Sequence, residues 1–256
     1  MRTRLRRNAG DGARAREGRD DGDDGDGDGD GEEDGDERER ARERARRAVH
    51  ARTYDAMDRD FACELAEMSH ARAKRASGDE WFYGELTYDD GARVARRLAR
   101  VECDEKAERE FVDLGSGLGK MVTCAALTGV FARARGIELL PELHERATAA
   151  LETYRASVDR AIAPCDVELV LGNLLTFDVS KADVIYIHAT CFTPGLLNAT
   201  ATKLASECKA GARVLIVSKQ LPEGWVFAPF DGGYVALAQP QTHWKLDGWM
   251  YEVRRS

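Results

Sequence analysis

Residues 111–120 read Phe-Val-Asp-Leu-Gly-Ser-Gly-Leu-Gly-Lys, placing an acid, Asp113, just ahead of Gly115, Gly117 and Gly119 and a cation, Lys120, just behind them. A glycine-rich turn that follows a strand and opens a helix lets a ligand approach the backbone and meet the amides of the helix N-terminus. A Walker-type phosphate loop needs four residues between its first glycine and the Gly-Lys, followed by Ser or Thr; only three separate Gly115 from Gly119, and Met121 follows Lys120. The dinucleotide fingerprint needs a third glycine at 120, where the lysine stands. Two more polar residues fall where successive strands of a parallel sheet would end. Glu138 suits a carboxylate that accepts both hydroxyls of a ribose. In Gly172-Asn173-Leu174, the Asn173 amide can reach the edge of an adenine while Leu174 packs on its face.

What remains is G-x-G-x-G with an acid two residues upstream, the pattern of enzymes that use S-adenosylmethionine (SAM). The elements that must position these residues alternate. Strands are predicted at 111–114, 135–138, 167–171, 184–187 and 212–217, with helices near 119–130, 141–157 and 195–209. Strands separated by helices predict an α/β, Rossmann-like fold with a mostly parallel, doubly wound sheet. Segments 234–238 and 249–253 have no helix-length spacer between them and predict an antiparallel C-terminal hairpin. Thr87 with Asp90 three residues on predicts a capping box for a helix through Val94, Leu98 and Val101. Tyr54, Met57, Phe61, Leu65 and Met68 predict one further helical stripe.

Composition bounds the rest. The net charge of −8 in 256 residues argues against a protein that coats nucleic acid. Residues 1–48 hold 13 basic and 16 acidic side chains, 9 glycines and no aromatic residue, so they are expected to be a disordered charged tail, either solvated or a histone-contacting or nuclear-targeting arm. The expected division is tail 1–48 and a SAM-dependent domain 49–256, with an N-terminal helix at 49–78 and a catalytic core at 79–256. No apolar run is long enough to span a membrane, and no apolar stretch of a secretory signal follows the first basic residues. Six cysteines at 63, 103, 124, 165, 191 and 208 show no C-x-x-C pair or zinc spacing, which predicts reduced thiols, no metal, and a nuclear or cytoplasmic setting. Oligomeric state leaves no trace in the sequence.

Over about Tyr83 to the C-terminus the chain resembles the disruptor-of-telomeric-silencing family, non-SET histone lysine methyltransferases on the class I SAM fold. Tyr83-Gly84-Glu85-Leu86-Thr87 is similar to that family's Y-G-E-T/S loop over the methionine part of the cofactor, Phe111 to Gly119 to its F-V-D-L-G-S-G-x-G, Gly136-Ile137-Glu138 to its G-x-E, and Gly172-Asn173-Leu174-Leu175 to its G-D/N-F-L. The resemblance implies a SAM site of Tyr83, Glu85, Thr87, Asp113, Gly115, Gly117, Gly119, Lys120, Glu138, Asn173 and Leu174. Where the family reads V-N-N-x-x-F, this chain reads Ile187-His188-Ala189-Thr190-Cys191-Phe192, keeping the Phe and losing both asparagines. Ser218-Lys219 resembles the family's S-K, and Trp244 with Tyr251 its W-x6-Y.

The resemblance implies methyl transfer to a protein lysine, with a histone as substrate and partner, in a nucleus, with nucleosome contact through the tail. Methyl transfer from a sulfonium is an in-line displacement that rewards orientation and exclusion of water. A lysine must lose its proton first, which a narrow aromatic channel promotes by desolvation. Phe192, Trp244 and Tyr251 are the expected channel residues and His188 the candidate general base. An enzyme acting on a small molecule or a non-histone protein would keep the same SAM residues.

Overall fold

Seven strands form one sheet in the order β3-β2-β1-β4-β5-β7-β6, in a computed structural model that describes residues 30–72, 84–100, 108–159, 163–222, 224 and 226–255. The strands are β1 (Glu110–Leu114), β2 (Arg133–Glu138), β3 (Asp166–Leu171), β4 (Val184–His188), β5 (Arg213–Val217), β6 (Phe227–Ala238) and β7 (Lys245–Val253). The first five pair in parallel, and β7 joins β5 antiparallel with β6 outside it. Alternation along the central strands feeds two cores. Phe111, Val184, Tyr186, Leu215 and Val217 face one, with Val94 and Leu98 of α3 (Tyr88–Ala99) and Val122 and Leu127 of α4 (Lys120–Leu127). Val112, Leu114, Ile185, Ile187, Val214 and Ile216 face the other, with Ala201 and Leu204 of α6 (Pro194–Glu207). Strands buried on both faces read as continuous apolar runs, which is how the sequence shows them. The helix α5 (Pro141–Ser157) supplies Leu151 and Tyr154 to the first core. Because strand order reverses between β1 and β4, a crevice opens at their carboxyl ends.

Four expectations need correction. The charged segment is helical well before residue 48, since α1 runs Asp30–Tyr54. By packing, the chain divides into Met1–Glu39 and Arg40–Ser256, so residues 40–48 belong with the folded domain. There Glu43 accepts from Arg96 at 2.6 Å, Arg47 donates to Asp89 at 2.8 Å and Arg46 is buried; the mixed Arg/Glu run is a docked helix because its acids and bases find partners on α3. Residues 1–29, 73–83 and 101–107 lie outside the described residues. The second correction concerns the stripe from Tyr54 to Met68, which is two helices. Asp58 Oδ1 accepts the Phe61 N–H at 2.9 Å and starts α2 (Arg59–Arg72) afresh.

Third, Thr87 caps α3 as expected, accepting from the Asp90 N–H at 3.3 Å, yet Asp90 does not complete a capping box. Its carboxylate instead accepts from Arg93 and from the Ala238 N–H, tying α3 to the end of β6. Fourth, the hairpin strands begin earlier than predicted. β6 opens at Phe227, and its register breaks between Pro229 and Tyr234, where Asp231, Gly232 and Gly233 take positive φ; that bulge hides the period-2 pattern. Among the described residues no helix is long and apolar enough to cross a membrane, no group of three or more His, Cys, Asp and Glu is placed to hold a metal, and no disulfide joins the cysteines.

Candidate functional site

The glycine turn after β1 is bent by Gly115 (φ 98°), Gly117 (φ 52°) and Gly119 (φ 78°), all in the region that only glycine enters cheaply. Its backbone lies against β2, with the Gly115 and Ser116 N–H groups both donating to the Ile137 carbonyl at 2.9 Å. That contact requires Gly136, because a Cβ there would fall 2.7 Å from the Ser116 Cβ. Gly119 ends the turn as the N-cap of α4.

Glu138 closes β2, buried at 7% exposure, and the turn clamps it in place. Gly117 N–H donates to its Oε2 and Leu140 N–H to its Oε1, both at 2.8 Å. Burial raises its pKa, and the amides of Leu140, Gly117 and Leu139 oppose the rise. Asp113, at the end of β1, is 2% exposed, and its Oδ1 has no partner. Burial first and the Glu138 charge second hold its carboxyl well above the usual range. The Glu85 carboxylate and Lys120 ammonium form a buried pair at 2.7 Å that joins the segment 84–87 to the start of α4. Burial raises the Glu85 pKa and Lys120 lowers it.

Two adjoining cavities occupy the crevice and share Gly84, Gly115 and His188. The larger, about 250 Å³, is lined by Glu138, Leu139, Asn173, Leu174 and Phe192, among others. The narrower one is lined by Glu85, Thr87, Asp113, Lys120, Tyr186 and His50. Asn173 Oδ1 accepts the Leu175 N–H at 2.9 Å, shaping the 3-10 turn Leu174–Thr176 and leaving the NH2 group for a ligand. His188 ends β4 with its ring against Gly84, where any Cβ would overlap it. Lys219 donates to the Phe192 carbonyl at 2.6 Å, so the Ser218-Lys219 turn holds the segment 188–192 from below.

The crevice thus gathers Glu85, Thr87, Asp113, Gly115, Gly117, Lys120, Glu138, Asn173, Leu174, His188 and Phe192. Tyr83 lies outside the described residues. Trp244 and Tyr251 do not line either cavity. Trp244 is 78% exposed, in the turn before β7. Tyr251 pairs with Val214, near the amino end of β5, and packs on Phe227 at 6.3 Å, down the sheet from the crevice. Sequence reasoning missed His50, which α1 places between Tyr54 and Tyr88 with ring centroids 5.0 Å from each. Its only signal was the His50/Tyr54 spacing of four at the head of the stripe. Leu139, left 46% exposed just after Glu138, was missed as well.

A parallel sheet of this order with an antiparallel β7, a glycine turn after β1 and an acid ending β2 define a Rossmann-like methyltransferase fold. The family model described as "Histone methylation protein DOT1" matches residues 66–225, more than half of the chain, and the chain belongs to that family. Relatives described as histone-lysine N-methyltransferase, H3 lysine-79 specific, include one from Aspergillus fumigatus, 33% identical over 156 residues (58% of this chain, 29% of the relative), and one from Cryptococcus neoformans var. neoformans, 28% identical over 187 residues (69% and 28%). The chain spans less than a third of the length of these relatives. Among solved structures, an RNA methyltransferase from Salinibacter ruber with S-adenosyl-L-homocysteine is similar at 25% identity and a TM-score of 0.46, covering 64% of this chain and 91% of that one.

Proposed function

We propose that this chain transfers the methyl group of SAM to a lysine side chain of a histone. The observation that carries the reading is the convergence of Glu85, Asp113, Glu138 and His188 on one crevice in a chain of this family. The residues fit the cofactor. Backbone amides hold both Glu138 oxygens at the wall of the larger cavity, where the carboxylate suits ribose hydroxyls, Leu139 and Leu174 offer apolar surface for an adenine, and the unpartnered Asp113 Oδ1 suits a cationic group. When bound, SAM supplies an electrophilic methyl on a sulfonium. The chain itself contributes orientation and exclusion of water, the terms that matter most for a displacement.

The acceptor enters beside Phe192 in this reading, with Trp244 at the rim. The turn that carries Trp244 follows Ala238, whose carbonyl accepts the Thr87 N–H at 3.2 Å, so it is tied to the segment 84–87. An exposed Trp there suits contact with a protein, since a large rigid ring anchors interfaces at low entropic cost. Trp244→Ala should raise the KM for a protein acceptor several-fold and leave the SAM Kd unchanged by calorimetry. The basic part of the segment before Arg40 would supply the nucleosome contact, and the protein would work in the nucleus.

The deciding experiment offers labelled SAM to nucleosomes, to free histones and to a cell extract depleted of both. Label on histone lysine supports the reading. Label confined to a small molecule, or to a protein nitrogen other than lysine, overturns it.

A further inference from the structure

The loop that follows β4 forms one wall of the larger cavity through Cys191 and Phe192, and a two-residue turn at the end of β5 holds it. Ala189 N–H donates to the Val217 carbonyl at 3.0 Å, the Thr190 and Ser218 hydroxyls bond at 3.0 Å, and the Lys219 ammonium donates to the Phe192 carbonyl at 2.6 Å. The last of these can run in one direction only, because an ammonium cannot accept and a carbonyl cannot donate. Phe192 directly precedes Thr193, the N-cap of α6, and its own N–H bonds back to the Ala189 carbonyl at 3.0 Å. Its carbonyl is therefore the point where loop becomes helix, and Lys219 pins that point. On its other side, Ser218 N–H donates to the Asp247 carbonyl at 2.8 Å, which anchors the same turn to β7 three residues after Trp244.

Two features set this turn apart from an ordinary strand end. Ser218 takes a φ of 69°, a conformation that costs a side chain more than it costs glycine. Strain of that kind persists where the surrounding structure over-determines it. Here the backbone bonds of Val217 and Ser218 impose it, and the serine adds a hydroxyl that reaches Thr190. Lys219 is half-buried and aims its charge at a neutral backbone oxygen, a stronger bond than two neutral groups would make. We infer that Ser218 and Lys219 are positioning residues for the methyl acceptor, which hold the Phe192 wall of the crevice in place through Thr190 and through the Phe192 carbonyl. The inference rests on the proposed methyl transfer and assigns that site its support. Neither side chain lines either cavity, so both act through the loop and not on the reacting atoms. Such support matters because a displacement of about 1 Å at a reacting centre is enough to cost much of the rate. Glu138 and Asn173 stand on other strand ends, so loosening the Phe192 wall should disturb the acceptor and spare the cofactor.

The test compares Lys219→Met, Lys219→Arg and Ser218→Gly with the wild type in the full chain. In the cofactor-free protein, fluorine NMR follows the Phe192 ring after incorporation of 4-fluorophenylalanine, with the resonance assigned by Phe192→Leu. The wild type and Lys219→Arg, which can donate to the same carbonyl, should each give one sharp Phe192 line. Lys219→Met and Ser218→Gly should broaden or split it. With labelled SAM and free histones, Lys219→Met should lower kcat/KM for the histone by about tenfold or more, and Lys219→Arg should recover most of the loss. The SAM Kd by calorimetry should stay within about twofold in all three variants, since the cofactor contacts are untouched. Ser218→Gly sheds backbone strain as it loses the hydroxyl, so its melting temperature should fall by no more than about 2 °C while its kcat/KM falls several-fold. A merely structural role would move stability and activity together. An unchanged Phe192 line in Lys219→Met, a histone kcat/KM in that variant equal to the wild type, or a SAM Kd that weakens in step with activity each overturns the inference. A wild type that methylates no histone lysine, beside a Phe192 line that broadens in Lys219→Met, would instead count against the proposed function and leave the support of the wall standing.

Discussion

Glu138 is in place before a ligand arrives, since two backbone amides fix both of its oxygens in a site that burial has already stripped of water. A carboxylate so held has little orientational freedom to lose on accepting ribose hydroxyls. Each charge-assisted hydrogen bond is worth roughly 1.5–3 kcal/mol, so Glu138→Ala should cost at least about 3 kcal/mol, or about a hundredfold in SAM Kd by calorimetric titration. Unchanged affinity would remove Glu138 from the cofactor site. Asp113 and Glu138 were legible in the sequence because a ligand site at the carboxyl ends of parallel strands demands polar residues where apolar runs stop. The unpartnered atoms of Asp113 and His188 were not, because a lone pair without a partner is a property of the surrounding packing. Trp244 and Tyr251, matched to the family pattern by spacing, lie outside both cavities. Trp244 falls in the exposed turn before β7, and the β5–β7 register carries Tyr251 down the sheet, so the spacing of seven does not bring them to one place.

The segment 84–87 is an element without regular structure, held by contacts that reach in three directions. Glu85 pairs with Lys120 on α4, Thr87 N–H donates to Ala238, and Gly84 seats the His188 ring. Lys120 sits in the first turn of α4, where the helix dipole disfavours a cation, so Glu85 also offsets that cost. Breaking a buried pair by removing one partner leaves an uncompensated charge, worth about 3–5 kcal/mol, whereas removing both can be near neutral. Lys120→Met should therefore destabilise strongly in denaturant titration, and Glu85→Gln with Lys120→Met should recover most of the loss. The sign with pH follows. Without Lys120 the Glu85 pKa rises further, so the penalty is full where the carboxylate is charged and shrinks as pH falls through that raised pKa. A Lys120→Met defect of equal size at pH 5 and pH 8 would rule this account out. At this scale the helix start at Thr87 and the five parallel strands could be read from local pattern alone. The Asp90 link to Ala238 could not, since it joins residues 148 apart.

Across the whole domain, the half of α1 from Arg40 to Tyr54 acts as a brace on the crevice. Tyr54 is buried, its hydroxyl lies 3.1 Å from the Thr123 hydroxyl donor on α4, and His50 lines the narrower cavity beside Tyr88. The charged composition of this stretch concealed the brace, because Glu43, Arg46 and Arg47 read as solvent-facing residues until α3 supplies their partners. A chain starting at Arg40 keeps every one of these contacts. One starting at Val49 loses the Glu43–Arg96 and Arg47–Asp89 pairs and the buried Arg46, and leaves only six residues, 49–54, to hold helical shape. So short a helix is unstable in isolation, and its fraying exposes the Tyr54 side chain, whose burial is worth about 1.5–3 kcal/mol. For a domain of this size each kcal/mol moves the melting temperature by about 2–4 °C. The chain from Arg40 should therefore melt with the full-length protein, and the chain from Val49 roughly 5–10 °C lower. Because His50 and Tyr54 back the turn that carries Lys120, the shorter chain should also bind SAM less tightly at temperatures where both remain folded. Equal melting of the two truncated chains would show that residues 40–48 add nothing, and that the crevice is braced by α2 and α3 alone.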